Sequence, residues 1–273
     1  FVFFLLSPAF AQGFTGGIIA GSESGLYRIA IGQQSGTVSP LWEGGSVSSI
    51  VRAREGWYFF GSEGLFFSPD LVSFENRSMG LPRKTLLVFK DGEFKVVREM
   101  EGIKSLAADP AREGRLALCT NAGVWYSEDG GKRWKDIGAP STVPGAKAVG
   151  FGPWAGSASH AVWIAHSIKG LFVRDPANGQ DWTGVSSGLP KVAGANGEEI
   201  SSFVLVPRTA APPLSILGVK GTAANDSWTL YAALSFLGKL FEWNPDSKSF
   251  IERWSDGRDF GSLESLGLAG DEG

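Results

Sequence analysis

Apolar residues come along this chain in short runs broken by glycine, rather than at helical spacing. Five segments share one form: a β-rich run ending in small residues, a turn, a glycine, then a second run of bulky apolar residues. They are GGIIAGSESGLYRI (16–29), GWYFFGSEGLFFS (56–68), LALCTNAGVWYS (116–127), AVWIAHSIKGLFVR (161–174) and TLYAALSFLGKLFEW (229–243). Each reads as two antiparallel strands around a tight turn. The turn glycines are Gly25, Gly64, Gly123, Gly170 and Gly238, with successive separations of 39, 59, 47 and 68 residues. The longer intervals hold insertions: an extra hairpin, LLVFKDGEFKVV (86–97), with Asp91-Gly92 at its turn, and a Pro/Gly/Ala-rich stretch at 206–224.

The repeats agree beyond the hairpin. From the turn glycine to the next large aromatic is 10 residues to Phe74, 11 to Trp134, 12 to Trp182 and 12 to Phe250. In two repeats a Gly-Leu-Pro follows that aromatic at the same distance, as Gly80-Leu81-Pro82 and Gly188-Leu189-Pro190. Four-stranded propeller blades repeat at roughly 40–50 residues. The pattern predicts an all-β fold over residues 12–273: a β-propeller of four-stranded antiparallel blades, about five of them within the sequence.

Composition supports that class. Of 273 residues 43% are hydrophobic and only 19% charged, which favours a packed core over disorder. Thirty-eight glycines and ten tryptophans suit sheets and turns better than helices. A net charge of −3 points to no nucleic-acid partner. With Cys119 as the only cysteine, no intramolecular disulfide forms and a cysteine-based zinc site lacks ligands.

The chain opens FVFFLLSPAFAQGF. Ala9-Phe10-Ala11 before Gln12 fits signal-peptide cleavage, so residues 1–11 read as the tail of a secretory signal; the alternative is a buried first strand. No later run reaches the roughly 18 apolar residues of a membrane span. The expectation is an exported protein, periplasmic, secreted or at the cell surface, without membrane embedding. SLGLAGDEG (265–273) resembles SLAADPAREG (105–114) and reads as the start of a further, truncated blade, so the sequence is expected to be a fragment with the ring incomplete.

Ser127-Glu128-Asp129-Gly130-Gly131-Lys132-Arg133-Trp134 resembles the Asp-box, or bacterial neuraminidase repeat, through Ser127, Asp129, Gly131 and Trp134. An aspartate accepts bonds from turn amides, glycine permits positive φ, and tryptophan buries the turn against a sheet. Two looser copies follow the same plan. Ser68, Asp70 and Phe74 remain in SPDLVSF, which is one residue short and has lost the glycine; Asp175, Gly179 and Trp182 remain in RDPANGQDW. In the families that carry this box, sortilin-type domains, photosystem-assembly propellers, sialidases and some xyloglucanases, it is a structural turn of a propeller blade, away from any active site. The resemblance therefore implies scaffold, with no catalytic, cofactor-binding or metal-binding role for these residues.

Few candidates for chemistry remain. His160 and His166 flank a strand run and read as strand-end polar residues rather than a metal pair. Gly184-Val185-Ser186-Ser187-Gly188 has the Gly-x-Ser-x-Gly form, but a nucleophile elbow needs a strand before it and a helix after it, and Leu189-Pro190 follows here. Tyr27, Tyr58, Tyr126 and Tyr231 lie in the repeated hairpins, and the Arg-Ile-Pro segment of sialidases is absent from this sequence. The resulting expectation is a non-enzymatic binding or assembly platform for a protein or peptide, with a glycan as a further candidate ligand. The alternatives are an extracellular glycoside hydrolase of xyloglucanase or sialidase type, and a purely structural repeat.

Overall fold

The structure is a computed structural model that describes residues 2–5, 17–31, 36–142, 144–152, 154, 160–177, 179, 181–190, 200–207, 228–234, 239–244 and 247–255. Gly238, the stretch 208–224 and the segment 265–273 lie outside the described residues.

Each of the five repeated segments forms the central strand pair of a four-stranded antiparallel sheet whose strands pair in chain order. The first sheet is β1 (Val2–Leu5), β2 (Gly17–Gly21), β3 (Leu26–Ile31) and β4 (Gly36–Trp42). The second is β5 (Val47–Arg52), β6 (Trp57–Gly61), β7 (Gly64–Ser68) and β8 (Glu75–Asn76). A separate hairpin follows, β9 (Arg83–Lys90) with β10 (Glu93–Met100). The third sheet is β11 (Ile103–Ala108), β12 (Leu116–Thr120), β13 (Val124–Ser127) and β14 (Lys135–Asp136). The fourth is β15 (Ala146–Gly152), β16 (Ala161–His166), β17 (Gly170–Arg174) and β18 (Thr183–Gly184). The fifth is β19 (Ile200–Pro207), β20 (Trp228–Leu234), β21 (Lys239–Asn244) and β22 (Ser249–Ser255). Val2–Leu5, within the stretch read as a signal remnant, pairs antiparallel with Gly17–Gly21.

The second strands explain why the sequence shows apolar runs instead of alternation. In β12 and β16 every residue is buried, and in β6 all but the last. A strand covered on both faces has no polar side to display. The two-residue fourth strands β8, β14 and β18 are exposed. Alternate residues of β16, Ala161, Trp163 and Ala165, pack with Leu171, Ile200, Phe203, Leu230 and Phe241 in one core between the fourth and fifth sheets. Ile19, Leu26, Val47, Ile50, Trp57, Phe59 and Leu71 form the equivalent core between the first and second. Small residues flanking a tryptophan let the facing surfaces interdigitate.

The chain divides into two units, each compact: Phe1–Leu116 with Ser127–Lys135 and Gly270–Gly273, and Ala117–Tyr126 with Asp136–Ala269. No helix among the described residues is long and apolar enough to cross a membrane.

Candidate functional site

Ser127 ends β13, and the next seven residues turn back on themselves through side-chain bonds. The Ser127 hydroxyl accepts the amides of Asp129 (3.3 Å) and Gly131 (2.9 Å) and donates to the Asp129 carboxylate (3.0 Å). Asp129 Oδ1 also accepts the Arg133 amide at 2.9 Å, and Oδ2 accepts Arg133 Nε at 2.8 Å. Gly131 has φ of 78°, and a Cβ there would stand 3.2 Å from the Trp134 ring and 3.4 Å from Leu116. Two independent reasons thus select glycine. Trp134 lies back over the turn and donates its Nε1–H to the Arg77 carbonyl at 2.9 Å.

Burial works to raise the Asp129 pKa, but bonds from the Arg133 side chain and amide and from Ser127 outweigh it and hold the carboxyl at about 2. A carboxyl depressed on folding contributes stability above its unfolded pKa, near 3.9, and that contribution is lost as pH falls through about 2. The melting temperature of Asp129→Asn should therefore lie below that of the parent at pH 5, with the gap closing toward pH 2. A gap that does not change with pH would contradict this assignment.

The Ser68 copy reproduces the bonds with different residues. Ser68 Oγ accepts the Leu71 amide at 2.7 Å, and Asp70 Oδ1 accepts the amides of Val72 and Ser73, both at 2.9 Å. Those amide bonds, Ser73 first and then Val72, lower the Asp70 pKa. Leu71 stands where Gly131 stands in the Ser127 turn: it has φ of 61° yet keeps its side chain buried in the core with Phe59. Leu71→Ala should cost about 2–4 kcal/mol in urea unfolding. Leu71→Gly should cost no more than Leu71→Ala, because glycine releases the roughly 1–2 kcal/mol of left-handed strain that alanine retains. Ranking glycine well below alanine would overturn this.

In the third copy Asp175 is buried and accepts the Ala177 amide at 2.9 Å, while Gly179 has φ of 62°. The serine position has been taken over in an informative way. Arg77 and Ile137 occupy matching places, since each donates its amide back to the preceding strand: Arg77 to Leu65 at 2.8 Å, Ile137 to Val124 at 2.9 Å. The Arg77 carbonyl receives Trp134 Nε1–H, whereas the Ile137 carbonyl receives the Arg174 guanidinium. Trp182, whose counterpart Trp134 makes that bond, has no partner for its Nε1–H among the described residues.

The Gly-x-Ser-x-Gly segment is a repeated turn. Ser186 Oγ accepts the Leu171 amide at 2.8 Å, as Ser78 Oγ accepts that of Leu65 at 2.9 Å; Leu189 and Leu81 then close identical 3.1 Å turns onto the Ser186 and Ser78 carbonyls. The turn glycine Gly64 fits this arrangement, because a Cβ would sit 2.3 Å from Ser78 Oγ. The nested aromatic and Gly-Leu-Pro spacings become contacts between successive blades. Gly80 lies against Trp134, and the Ser187 carbonyl accepts the Phe250 amide at 2.7 Å beside Gly188.

The sequence places Tyr58 in a repeated hairpin but does not show what its hydroxyl meets. Its hydroxyl, fully buried, donates to Glu55 at 2.9 Å and lies 3.4 Å from the Gly130 carbonyl, beneath the Ser127 turn. Burial first, and then the Glu55 carboxylate, push the phenol above its usual range. A tyrosine beside a carboxylate has the parts of a glycosidase nucleophile, but a raised pKa and complete burial suit a brace. His166 is buried, and its Nδ1 accepts the Ile168 amide at 3.3 Å. Among the described residues no three His, Cys, Asp or Glu side chains gather as a metal set.

No family profile and no curated protein matches the chain. Solved structures do. Over 94% of its length the chain superposes on the GH74 enzyme of Niastella koreensis, with a TM-score of 0.55 at 15% identity and 37% of that chain covered. Over 92% of its length it superposes on the extracellular domain of BT4673 from B. thetaiotaomicron, with a TM-score of 0.55 at 11% identity and 27% of that chain covered. The chain thus spans little more than a quarter to a third of these structures. Such likeness, together with the five four-stranded sheets, shows the fold: an all-β propeller built of antiparallel blades.

Proposed function

We propose that this chain is an exported, non-enzymatic propeller that serves as a platform for a protein or peptide. In this reading Ser127–Trp134 is an Asp-box turn, and Ser68–Phe74 and Asp175–Trp182 are its degenerate copies. The observation that carries the reading is the β9–β10 hairpin, where five large apolar side chains, Leu87, Val88, Phe89, Phe94 and Val96, stand in solvent. The hydroxyls and carboxylates of the turns support it from the other side. Ser127, Asp129, Ser68, Asp70, Ser186 and Tyr58 all spend their polar atoms on local backbone or neighbouring side chains. Likeness to an extracellular domain favours export. Likeness to a GH74 enzyme favours the second reading, a glycoside hydrolase.

Two measurements separate these. The full-length protein incubated with xyloglucan and with a sialoside should release no reducing sugar or sialic acid; sustained turnover at about 1 s⁻¹ or more would replace the platform by the hydrolase. Mass spectrometry of the mature protein should find Gln12 at its amino terminus. A mature chain that retains Val2–Leu5 would remove the signal reading and make β1 a permanent strand of the first blade.

A further inference from the structure

We propose that the β9–β10 hairpin docks an extended peptide that presents apolar side chains on one face and a carboxylate at one end; this rests on the binding reading above and names its partner class. Pairing of Phe89 with Phe94, Leu87 with Val96, Thr85 with Arg98 and Arg83 with Met100 puts these eight residues on one face. On it Leu87, Phe89, Phe94 and Val96 are 66, 62, 69 and 68% exposed. Phe89 and Phe94 meet edge to face at 5.0 Å, so two rings of the ladder pack on each other near the tip. At the base the Glu101 amide donates to the Pro82 carbonyl at 2.8 Å, which continues the pairing to the root of the hairpin.

Charge is sorted between the two faces. Lys84 lies 4.0 Å from Glu99, Lys90 pairs across from Glu93, and Lys95 lies 3.3 Å from Asp91, all on the opposite face or at the turn. Those three acidic residues are all that residues 83–100 contain. The apolar face therefore has only Arg83 and Arg98 as charges, both toward the base. Among the described residues no third strand pairs with either edge, which leaves the outward backbone donors and acceptors of four alternate residues on each strand. An added strand would gain those bonds, lay alternate apolar residues on the ladder, and bring a carboxylate to an arginine. A second copy fits less well, because its matching face offers the arginines no carboxylate. An anionic bilayer fits less well too, since Asp91 and Glu93 sit at the tip that would approach it.

The probe is a fluorescein-labelled peptide, Asp-Ser-Val-Thr-Val-Thr-Phe-Ser with an amidated end, titrated with the full chain in fluorescence anisotropy. We expect saturable binding, weakened at least about tenfold by Leu87→Ser with Phe94→Ser. Arg98→Glu should weaken it about fivefold, and that variant should prefer the peptide with Lys in place of Asp. All these side chains are exposed, so melting temperatures should match the parent. Absence of saturable binding overturns the proposal. Binding that ignores the hairpin substitutions also overturns it, while leaving the platform reading in place. Hairpin-dependent sedimentation with phosphatidylglycerol vesicles in the absence of peptide binding reassigns the face to lipid. Hairpin-dependent dimerisation in analytical ultracentrifugation, again in the absence of peptide binding, reassigns it to a second copy.

Discussion

Arg115→Ala should destabilise the protein by about 3–5 kcal/mol, the largest loss expected of any single change considered for this fold. Arg115 and Asp109 bridge the turn between β11 and β12 at 2.7 Å, with side chains 1% and 0% exposed. Asp109 also accepts the Ala111 amide at 2.9 Å, and its own amide donates to the Arg115 carbonyl at 2.9 Å. The pair is part of the turn's backbone bonding, and removing the guanidinium leaves a buried carboxylate facing its former partner's space. Breaking such a pair costs far more than the pair itself contributes, because the remaining buried charge loses the counter-ion that offsets its desolvation. Two variants separate that explanation from a simple packing loss. Arg115→Met keeps much of the volume but should remain nearly as damaging as alanine. Asp109→Leu combined with Arg115→Met should recover a large part of the loss in urea denaturation followed by tryptophan fluorescence. A cost below about 1 kcal/mol for Arg115→Ala, or a double variant as weak as the single, would show that the ion pair is dispensable.

Trp134→Ala should cost about 2–4 kcal/mol, because it removes the lid of the Ser127 turn and strips the Arg77 carbonyl of its donor. Trp134 is half-buried, so the figure lies below that of a fully buried indole. The sharper comparison is with phenylalanine. Trp134→Phe should lose about 1 kcal/mol, whereas Trp182→Phe should be neutral or slightly stabilising, since the Trp182 indole N–H is buried with no partner among the described residues. Arg174 supplies the equivalent interblade bond in that repeat. Equal costs at the two tryptophans would mean that the hydrogen bond carries no weight and ring packing alone sets both values.

Neither of these bonds is legible in the sequence, although the strand pairs that hold them are. Strand pairs could be found because local rules write them: β6, β12 and β16 are apolar runs, and a glycine follows each at the turn. The Phe74-to-Gly80 and Trp182-to-Gly188 spacings were visible as numbers, and the structure gives their meaning as contacts from one blade to the next. Leu71 was missed because a leucine at positive φ contradicts local preference, and only its place in the core compensates for the strain. The exchange of Trp134 for Arg174 as donor was invisible because donor and acceptor lie 57 and 37 residues apart, in different repeats. Tyr58 beneath Gly130 and the Asp109–Arg115 pair are matters of burial, which residue type alone does not reveal. The exposed face of β9–β10 looked like any other hairpin, because its alternation sets Leu87, Phe89, Phe94 and Val96 on one face and Leu86, Val88 and Val97 among charges on the other, without saying what covers either.

The serine at each Gly-Leu-Pro turn has a consequence for motion. The amides of Leu65 and Leu171 are held by the Ser78 and Ser186 hydroxyls rather than by a neighbouring strand. Deuterium from solvent should therefore enter these two positions whenever a single turn lets go, well before it reaches the central strands β6 and β16, whose exchange requires a blade to open. The two leucine amides act as local clocks for the loosening of individual blades, each set by one hydroxyl.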